Sequence, residues 1–197
     1  NAKQMLDKPL PAYLLLGVEA ELDTHDPVSA MASINASDFV VVMSPYKGKS
    51  LDYADVLLPI APWTETSGTF INTEGRVQSF SAVVKPLGET RPAWKVLRVL
   101  GNLLGLAGFD HNDSRDVLRD ALGDTPTGTV QAFLSNEVSG VMPVAAQAIE
   151  GLERVAEVPI YQTDAVVRRS PSLQLTLDAA LPVARMHGNL IAKLGLT

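Results

Sequence analysis

The side chains able to hold a polar ligand concentrate between positions 54 and 78, ADVLLPIAPWTETSGTFINTEGRVQ. Val56, Leu57 and Leu58 form a short apolar run that Pro59 must end, because proline has no ladder donor to give. Beyond it lie Glu65, Gly68, Thr69, Asn72, Glu74, Gly75, Arg76 and Gln78, on a loop leaving the carboxyl end of the expected strand. In open α/β sheets, ligands bind at that end. Such a loop can bind an anion or polar cofactor through backbone donors, Thr69, Asn72 and Arg76. It can equally rigidify the sheet edge, since buried polar groups must be paired in either case. No Ser/His/Asp order, GxGxxG or GxxxxGK[ST] loop, or pair of metal-binding histidines occurs. Catalysis by these residues alone is not expected.

Composition narrows the chemistry further. A formal charge of −6 and only 16 Lys and Arg, scattered along the chain, argue against binding to nucleic acid. The 197 residues contain no cysteine, which excludes disulfides, thiol catalysis, thiolate-held iron-sulfur clusters and cysteine zinc sites within them. His25, His111 and His187 lie far apart, so surface or capping roles are expected rather than a metal site. No apolar stretch approaches the ~20 residues that cross a bilayer, and no signal peptide is visible. The first residue is Asn1 and the last two are Leu196-Thr197, from which a piece of a longer protein is expected.

The elements that must position these side chains read as α/β. Residues 11–17 suggest a buried strand ended by Gly17. Asp26 and Pro27 offer an N-cap and a first-turn proline for a helix through Asn35 that buries Val28, Met31 and Ala32, with Ile34 at its flank. The apolar run 39–43 suggests a central strand, completing a right-handed βαβ unit. A loop and short helix over 44–53 lead to a third strand at Val56, covered on both faces. Thr73-Glu74-Gly75 then fits a hairpin turn whose glycine takes positive φ.

Thr90 is a candidate cap for a helix with Pro92 in its first turn and Trp94, Leu97, Leu100 or Gly101, and Leu104 on its apolar face, ending at Gly105 and Gly108. Ser114 is expected to cap a helix carrying Val117, Leu118, Ala121 and Leu122, and a further helix is expected over 143–156 with Ile149, Leu152 and Val155. Loops are expected at 123–128 and 139–140. Residues 160–161, 165–167 and 183–186 are candidate short strands, 173–177 stays open between strand and coil, and 187–194 suggests helical turns capped by Gly195. Arg168-Arg169 can clamp a carboxylate or phosphate, or serve as a solvated or salt-bridged pair.

The combination Ala54-Asp55-Val56-Leu57-Leu58-Pro59, Glu65, Gly68-Thr69, Asn72 and Glu74-Gly75-Arg76-Val77-Gln78 resembles the signature of the molybdopterin-dinucleotide oxidoreductase superfamily. Pro86, Gly88-Glu89 and Trp94 match its continuation. Within it, the sequence is most similar to the large iron-sulfur subunit of bacterial respiratory NADH:quinone oxidoreductase, complex I. Tyr161, Asp164, Arg168-Arg169, Leu173-Gln174, Thr176 and Leu194-Gly195-Leu196 resemble that subunit's C-terminal part. The likeness covers roughly 10–105 and 158–197.

The resemblance implies a partial Rossmann-like domain over 1–109, a helical lobe over 110–157 and the truncated start of a C-terminal β-barrel over 158–197. It implies a scaffold and interaction element of a peripheral electron-transfer arm, on the cytoplasmic side of the bacterial inner membrane. The implied partners are other complex I subunits and the N-terminal part of the same chain, where iron-sulfur clusters are expected. Nucleic acid and direct membrane insertion are not expected.

Relatives that hold the guanine dinucleotide usually carry an acidic residue directly after the second strand and a Thr-Glu-Thr before the Ala-Asp-Val stretch. Here Ser44-Pro45 and Ser50-Leu51-Asp52-Tyr53 stand at those places. Losing a carboxylate that accepts guanine N1-H and its 2-amino group costs about 1 to 3 kcal/mol. Weak or absent binding of the molybdopterin dinucleotide is therefore expected, with Asp52 the one carboxylate placed to substitute at a shifted position; no metal or catalytic residue is expected in these residues. Glu65, Thr69, Asn72, Glu74, Arg76 and Gln78 are expected to tie the loop to the sheet and to a neighbouring domain, so Arg76→Ala should lower thermal stability. The alternative is the cofactor domain of an active molybdopterin oxidoreductase such as a formate dehydrogenase, with Gly17, Asp26, Ser44 and Asp52 contacting the dinucleotide. A third possibility is an independent small-molecule-binding domain.

Overall fold

The computed structural model describes residues 2–123, 130–132, 134, 135, 137, 151–153, 155, 157–179 and 183–196. The chain divides into two compact units, 1–146 and 147–197.

The first unit is a mixed α/β arrangement built on a parallel sheet of β1 (Ala12–Leu16), β2 (Phe39–Ser44) and β3 (Val56–Pro59), in the order β1-β2-β3. Parallel neighbours need a crossover. Here α2 (Ala20–Asp23) and α3 (Pro27–Asn35) provide it between β1 and β2. The register pairs Tyr13 with Val40, Leu15 with Val42 and Val42 with Leu57, so these residues share one face. Tyr13, Val40 and Val42 pack there with Ala20 and Ile34 into the core, joined by Leu6, Met31 and Leu57.

Helix α1 (Ala2–Asp7) packs on α3. The Tyr13 hydroxyl holds it, donating to Met5 O at 2.8 Å and accepting from Leu10 N–H at 3.1 Å. Asp26 caps α3 as expected, with Pro27 in the first turn. The buried face of α3 differs from expectation: Ala30, Ser33 and Ile34 are buried and Met31 is half-buried, whereas Val28 and Ala32 are exposed. The cause is Ser33, whose hydroxyl donates to Leu6 O and turns a small polar residue toward α1.

β2 is central, as expected, but the sheet is not covered evenly. The opposite face carries Leu14, Leu16 and Phe39, which remain 41–46% exposed, and β3 is half-buried rather than fully enclosed. A continuous apolar run therefore does not imply burial on both sides. Between β2 and β3 the chain makes a 3₁₀ turn at Lys49–Asp52.

β4 (Gly68–Ile71) and β5 (Val77–Phe80) form a separate antiparallel hairpin, with the Phe70 and Phe80 rings stacked at 5.3 Å. Helix α4 (Ala93–Leu103) begins at Pro92 without a side-chain cap. Thr90 does not cap it, because its hydroxyl donates to Leu87 O at 2.7 Å within the preceding turn. Gly101 is buried against Phe109, while Leu104 lies past the helix end and is exposed. The helix stops where the sequence places its end: Gly105 has φ +68, Gly105 N–H donates to Asn102 O and Leu106 N–H to Gly101 O.

Helix α5 (Ser114–Leu122) packs against β4. Its cap is Asp113 rather than Ser114, because a carboxylate one residue earlier accepts from both Arg115 and Asp116 N–H. Asp116 reciprocates by accepting from Asp113 N–H, completing a capping box. Ser114 Oγ instead bonds Ser67 Oγ at 2.8 Å.

The second unit contains 3₁₀ turns at Ile160–Gln162, Val167–Arg169 and Leu177–Ala179, with α6 (Pro171–Gln174) and α7 (Gly188–Lys193). The strands expected at 160–161, 165–167 and 183–186 are replaced by turns and irregular chain, and Leu173 lies in α6. Local side-chain bonds explain the winding. Thr163 Oγ1 donates to Ile160 O at 2.7 Å, and Asp164 Oδ1 accepts from Val166 and Val167 N–H. No closed barrel forms among the described residues. His187 caps α7 and Gly195 follows it at φ +65, as expected. Of the loop expected at 123–128, Gly123 ends α5 and the rest lies outside the described residues, as do the loop expected at 139–140 and most of the helix expected over 143–156, although 151–153 and 155 are not helical. Among the described residues, no helix is long and apolar enough to cross a membrane.

Candidate functional site

Two of the four candidate cofactor contacts meet at the carboxyl end of the parallel sheet. Gly17, with φ +62, follows β1 and donates its N–H to Met43 O at 2.9 Å, so it stands beside Ser44 at the end of β2. Ser44 Oγ accepts from Tyr46 N–H at 3.1 Å, and Ser44 O accepts from Ile60 N–H at 3.3 Å. The remaining two are placed differently. Asp26 uses Oδ1 to accept from Ser29 N–H and Oδ2 from Ser29 Oγ, which holds its carboxyl below the usual carboxylate range. It borders a groove of about 530 Å³ shared with α1, which includes neither Gly17, Ser44 nor Asp52. Asp52 is exposed at the end of the 3₁₀ turn that leads back to β3.

Residue Asp55, named from sequence as part of the 54–59 signature without a role of its own, has a defined task. Its Oδ2 accepts from Val40 N–H at 2.7 Å while its own N–H donates to Val40 O at 2.9 Å, pinning the start of β3 to β2. The signal in the sequence is an aspartate directly before an apolar run, where a short acceptor can serve a strand's first donors. Nearby, Tyr53 OH donates to Glu21 at 3.1 Å, joining the β2–β3 connection to α2. Burial first, then the Glu21 charge, raises the Tyr53 hydroxyl above its ordinary range.

The loop beyond Pro59 is stitched mainly to its own neighbours. Trp63–Glu65 makes a 3₁₀ turn, and the Glu65 carboxylate accepts from Leu87 N–H at 2.9 Å. Thr64 O accepts from Val83 N–H at 2.9 Å, so the 81–88 segment is held against this turn. Thr69 Oγ1 and Ser79 Oγ pair across the hairpin at 2.9 Å, and Gln78 occupies β5 opposite Phe70.

At the tip, one side chain organises the turn. Asn72 Oδ1 accepts from Glu74 N–H at 3.1 Å and Arg76 N–H at 2.9 Å, while Gly75 N–H donates to Asn72 O. Asparagine thereby mimics backbone within the turn. Gly75 takes φ +75, as the sequence requires, and is pressed so closely that a Cβ would lie 3.0 Å from Gln131 Cα. Arg76 and Glu74 approach only to 3.9 Å, with side chains 66% and 70% exposed. At Gly68 the constraint is the Phe80 ring, which would stand 3.0 Å from an added Cβ.

Arg168 and Arg169, in the second unit, donate to Gln162 O at 2.8 Å and Ala165 O at 3.0 Å. Among the described residues, no group of three His, Cys, Asp or Glu side chains is placed to hold a metal ion.

Comparison with known proteins agrees with the motif. A family profile described as molybdopterin oxidoreductase matches residues 1–103, which run from α1 to the last residue of α4. The chain is 34% identical over 117 residues to "Probable oxidoreductase YjgC" of Bacillus subtilis (strain 168), covering 59% of this chain and 12% of that protein. It is 42% identical over 106 residues to a "Putative formate dehydrogenase" of Staphylococcus aureus (strain bovine RF122 / ET3-1), covering 54% of this chain and 10% of that protein. The chain thus spans about a tenth of the length of these relatives. With its sheet, its hairpin loop and α4 all inside the matched region, the chain belongs to the molybdopterin oxidoreductase family.

Proposed function

We propose that this chain is a scaffold and interaction element of the large iron-sulfur subunit of a bacterial NADH:quinone oxidoreductase, with no catalytic residue of its own. It would work in the peripheral arm at the cytoplasmic side of the membrane, beside other subunits and the cluster-bearing part of its own chain. The observation that carries this reading is the use of the signature side chains. Glu65, Thr69 and Asn72 bond to Leu87, Ser79, Glu74 and Arg76, holding hairpin and loop together.

The donor set for a guanine dinucleotide supports the same reading. Ser44 stands where an acceptor carboxylate would serve the base, and its Oγ already accepts from Tyr46 N–H. Asp26 accepts from Ser29 with both oxygens and borders a groove that includes neither Gly17 nor Ser44. Asp52 is the one carboxylate left among the four candidates, and it lies on the connection returning to β3 rather than beside Gly17 and Ser44. On this reading these residues do not hold the group, and no chemical step is assigned to it. The decisive test is elemental analysis of the full-length protein, together with NADH:quinone and formate oxidation assays. Iron with NADH:quinone activity and no molybdenum or tungsten is expected; stoichiometric molybdenum or tungsten would overturn the scaffold reading.

One observation favours a second reading: several similar proteins carry the name formate dehydrogenase. On that reading, Gly17, Asp26, Ser44 and Asp52 line a dinucleotide site. Formate oxidation by the purified full-length protein, reduced by Asp52→Ala, would establish it.

A further inference from the structure

Helix α4 is apolar on two sides, and only one of them has an evident purpose. Inward, Trp94, Leu97 and Gly101 follow helical spacing, with Gly101 set against the Phe109 ring. Outward, Val96, Val99, Leu100 and Leu103 recur at i, i+3, i+4 and i+7, the pattern of a second buried stripe. That stripe lines a groove of about 490 Å³ with Leu58 of β3. Val99 is 48% exposed and Leu103 81% exposed there. Leu58 is the one sheet residue of the groove, and its register neighbour Met43 on β2 is fully buried.

The rim gives the occupant its chemistry. Arg91, Lys95 and Arg98 line the groove and no carboxylate does, although the whole chain carries a net −6. Arg98 is partly used by the fold, its Nη1 donating to His111 O at 3.0 Å, which leaves Arg91 and Lys95 as the exposed cations of the rim. A second copy docked groove to groove would bring cations against cations. We infer that the α4 groove is the docking site of an acidic amphipathic helix elsewhere in the assembled enzyme. Its apolar stripe would pack on Val96, Val99 and Leu103, and its flanking Asp or Glu residues would face Arg91 and Lys95. The inference depends on neither reading of the reaction.

The test is site-specific photocrosslinking in the full-length protein within its native assembly, with p-benzoylphenylalanine at Val99 and, as a control, at exposed Val28. The expected adduct from position 99 is a peptide with apolar residues at three- and four-residue spacing flanked by Asp or Glu. Its yield should fall roughly fivefold in the Arg91→Glu/Lys95→Glu double variant, a change confined to the exposed rim. An adduct to α4 of a second copy, to a peptide lacking carboxylates, an adduct insensitive to charge reversal, or none above the Val28 control would each overturn the inference.

Discussion

The tip of the signature hairpin carries a charged arginine and a neutral asparagine, and it is the asparagine that organises the turn; replacing each by alanine separates their roles. Asn72→Ala removes two hydrogen bonds to Oδ1, from Glu74 and Arg76 N–H at 3.1 and 2.9 Å, and a long one from Nδ2 to Glu74 Oε2 at 3.5 Å that adds little. At about 0.5–1 kcal/mol for each exposed turn bond, the hairpin should lose about 1–2 kcal/mol. Arg76→Ala removes a contact that reaches Glu74 only at 3.9 Å between two largely exposed side chains. Such pairs contribute little, and a loss below about 0.5 kcal/mol is expected. The geometry thus gives Arg76 a smaller effect than Asn72, in the same direction that the sequence-based expectation assigns it. Hydrogen exchange followed by mass spectrometry on peptides spanning 68–80 reports local opening directly. Asn72→Ala should accelerate exchange there by roughly five- to thirtyfold, and Arg76→Ala by less than about threefold. Greater acceleration in Arg76→Ala than in Asn72→Ala would refute the assignment.

Three further outcomes follow from the structure. Asp55→Ala strands the Val40 N–H that its carboxylate receives at 2.7 Å, and should destabilise the sheet by about 1–3 kcal/mol in urea unfolding, with Asp55→Asn milder because an amide oxygen still accepts. Gly101→Ala drives a methyl into the Phe109 ring, and should cost about 1–3 kcal/mol in thermal denaturation despite alanine's better helix propensity. For α5, the Asp113 and Asp116 carboxyls sit below their ordinary value of 3.8, chiefly through backbone N–H donors at the helix start. A depressed folded-state pKa stabilises above the unfolded value and is lost as pH falls through the folded one, so α5 amide protection should hold from pH 7 to 5 and decline below 3.8.

What the sequence determined by itself was local. Asp26-Pro27 started α3, Gly105 stopped α4, Gly75 took positive φ at the hairpin, and the apolar run 39–43 became the central strand. These outcomes depend on a residue's own backbone preference or on neighbours a few positions away, which is why residue type and spacing revealed them. The 54–78 signature also sufficed to suggest the family that the comparisons support.

Tertiary structure decided what depends on partners distant in the chain. Ser33 faces inward because a carbonyl of α1 lies opposite, and Asp55 matters because β2 runs beside it. The apolar spacing of α4 did not reveal that two faces qualify for burial; only the position of Phe109 on one side and the open groove on the other separated them. Residues 160–167 wind into turns because Thr163 and Asp164 bond to backbone nearby, a competition that β-branched composition alone does not resolve. Polar density at a strand's carboxyl end likewise left binding and bracing open, because both require the same groups to be paired. The hydrogen bonds of Glu65, Thr69 and Asn72 to the loop itself are what favour bracing.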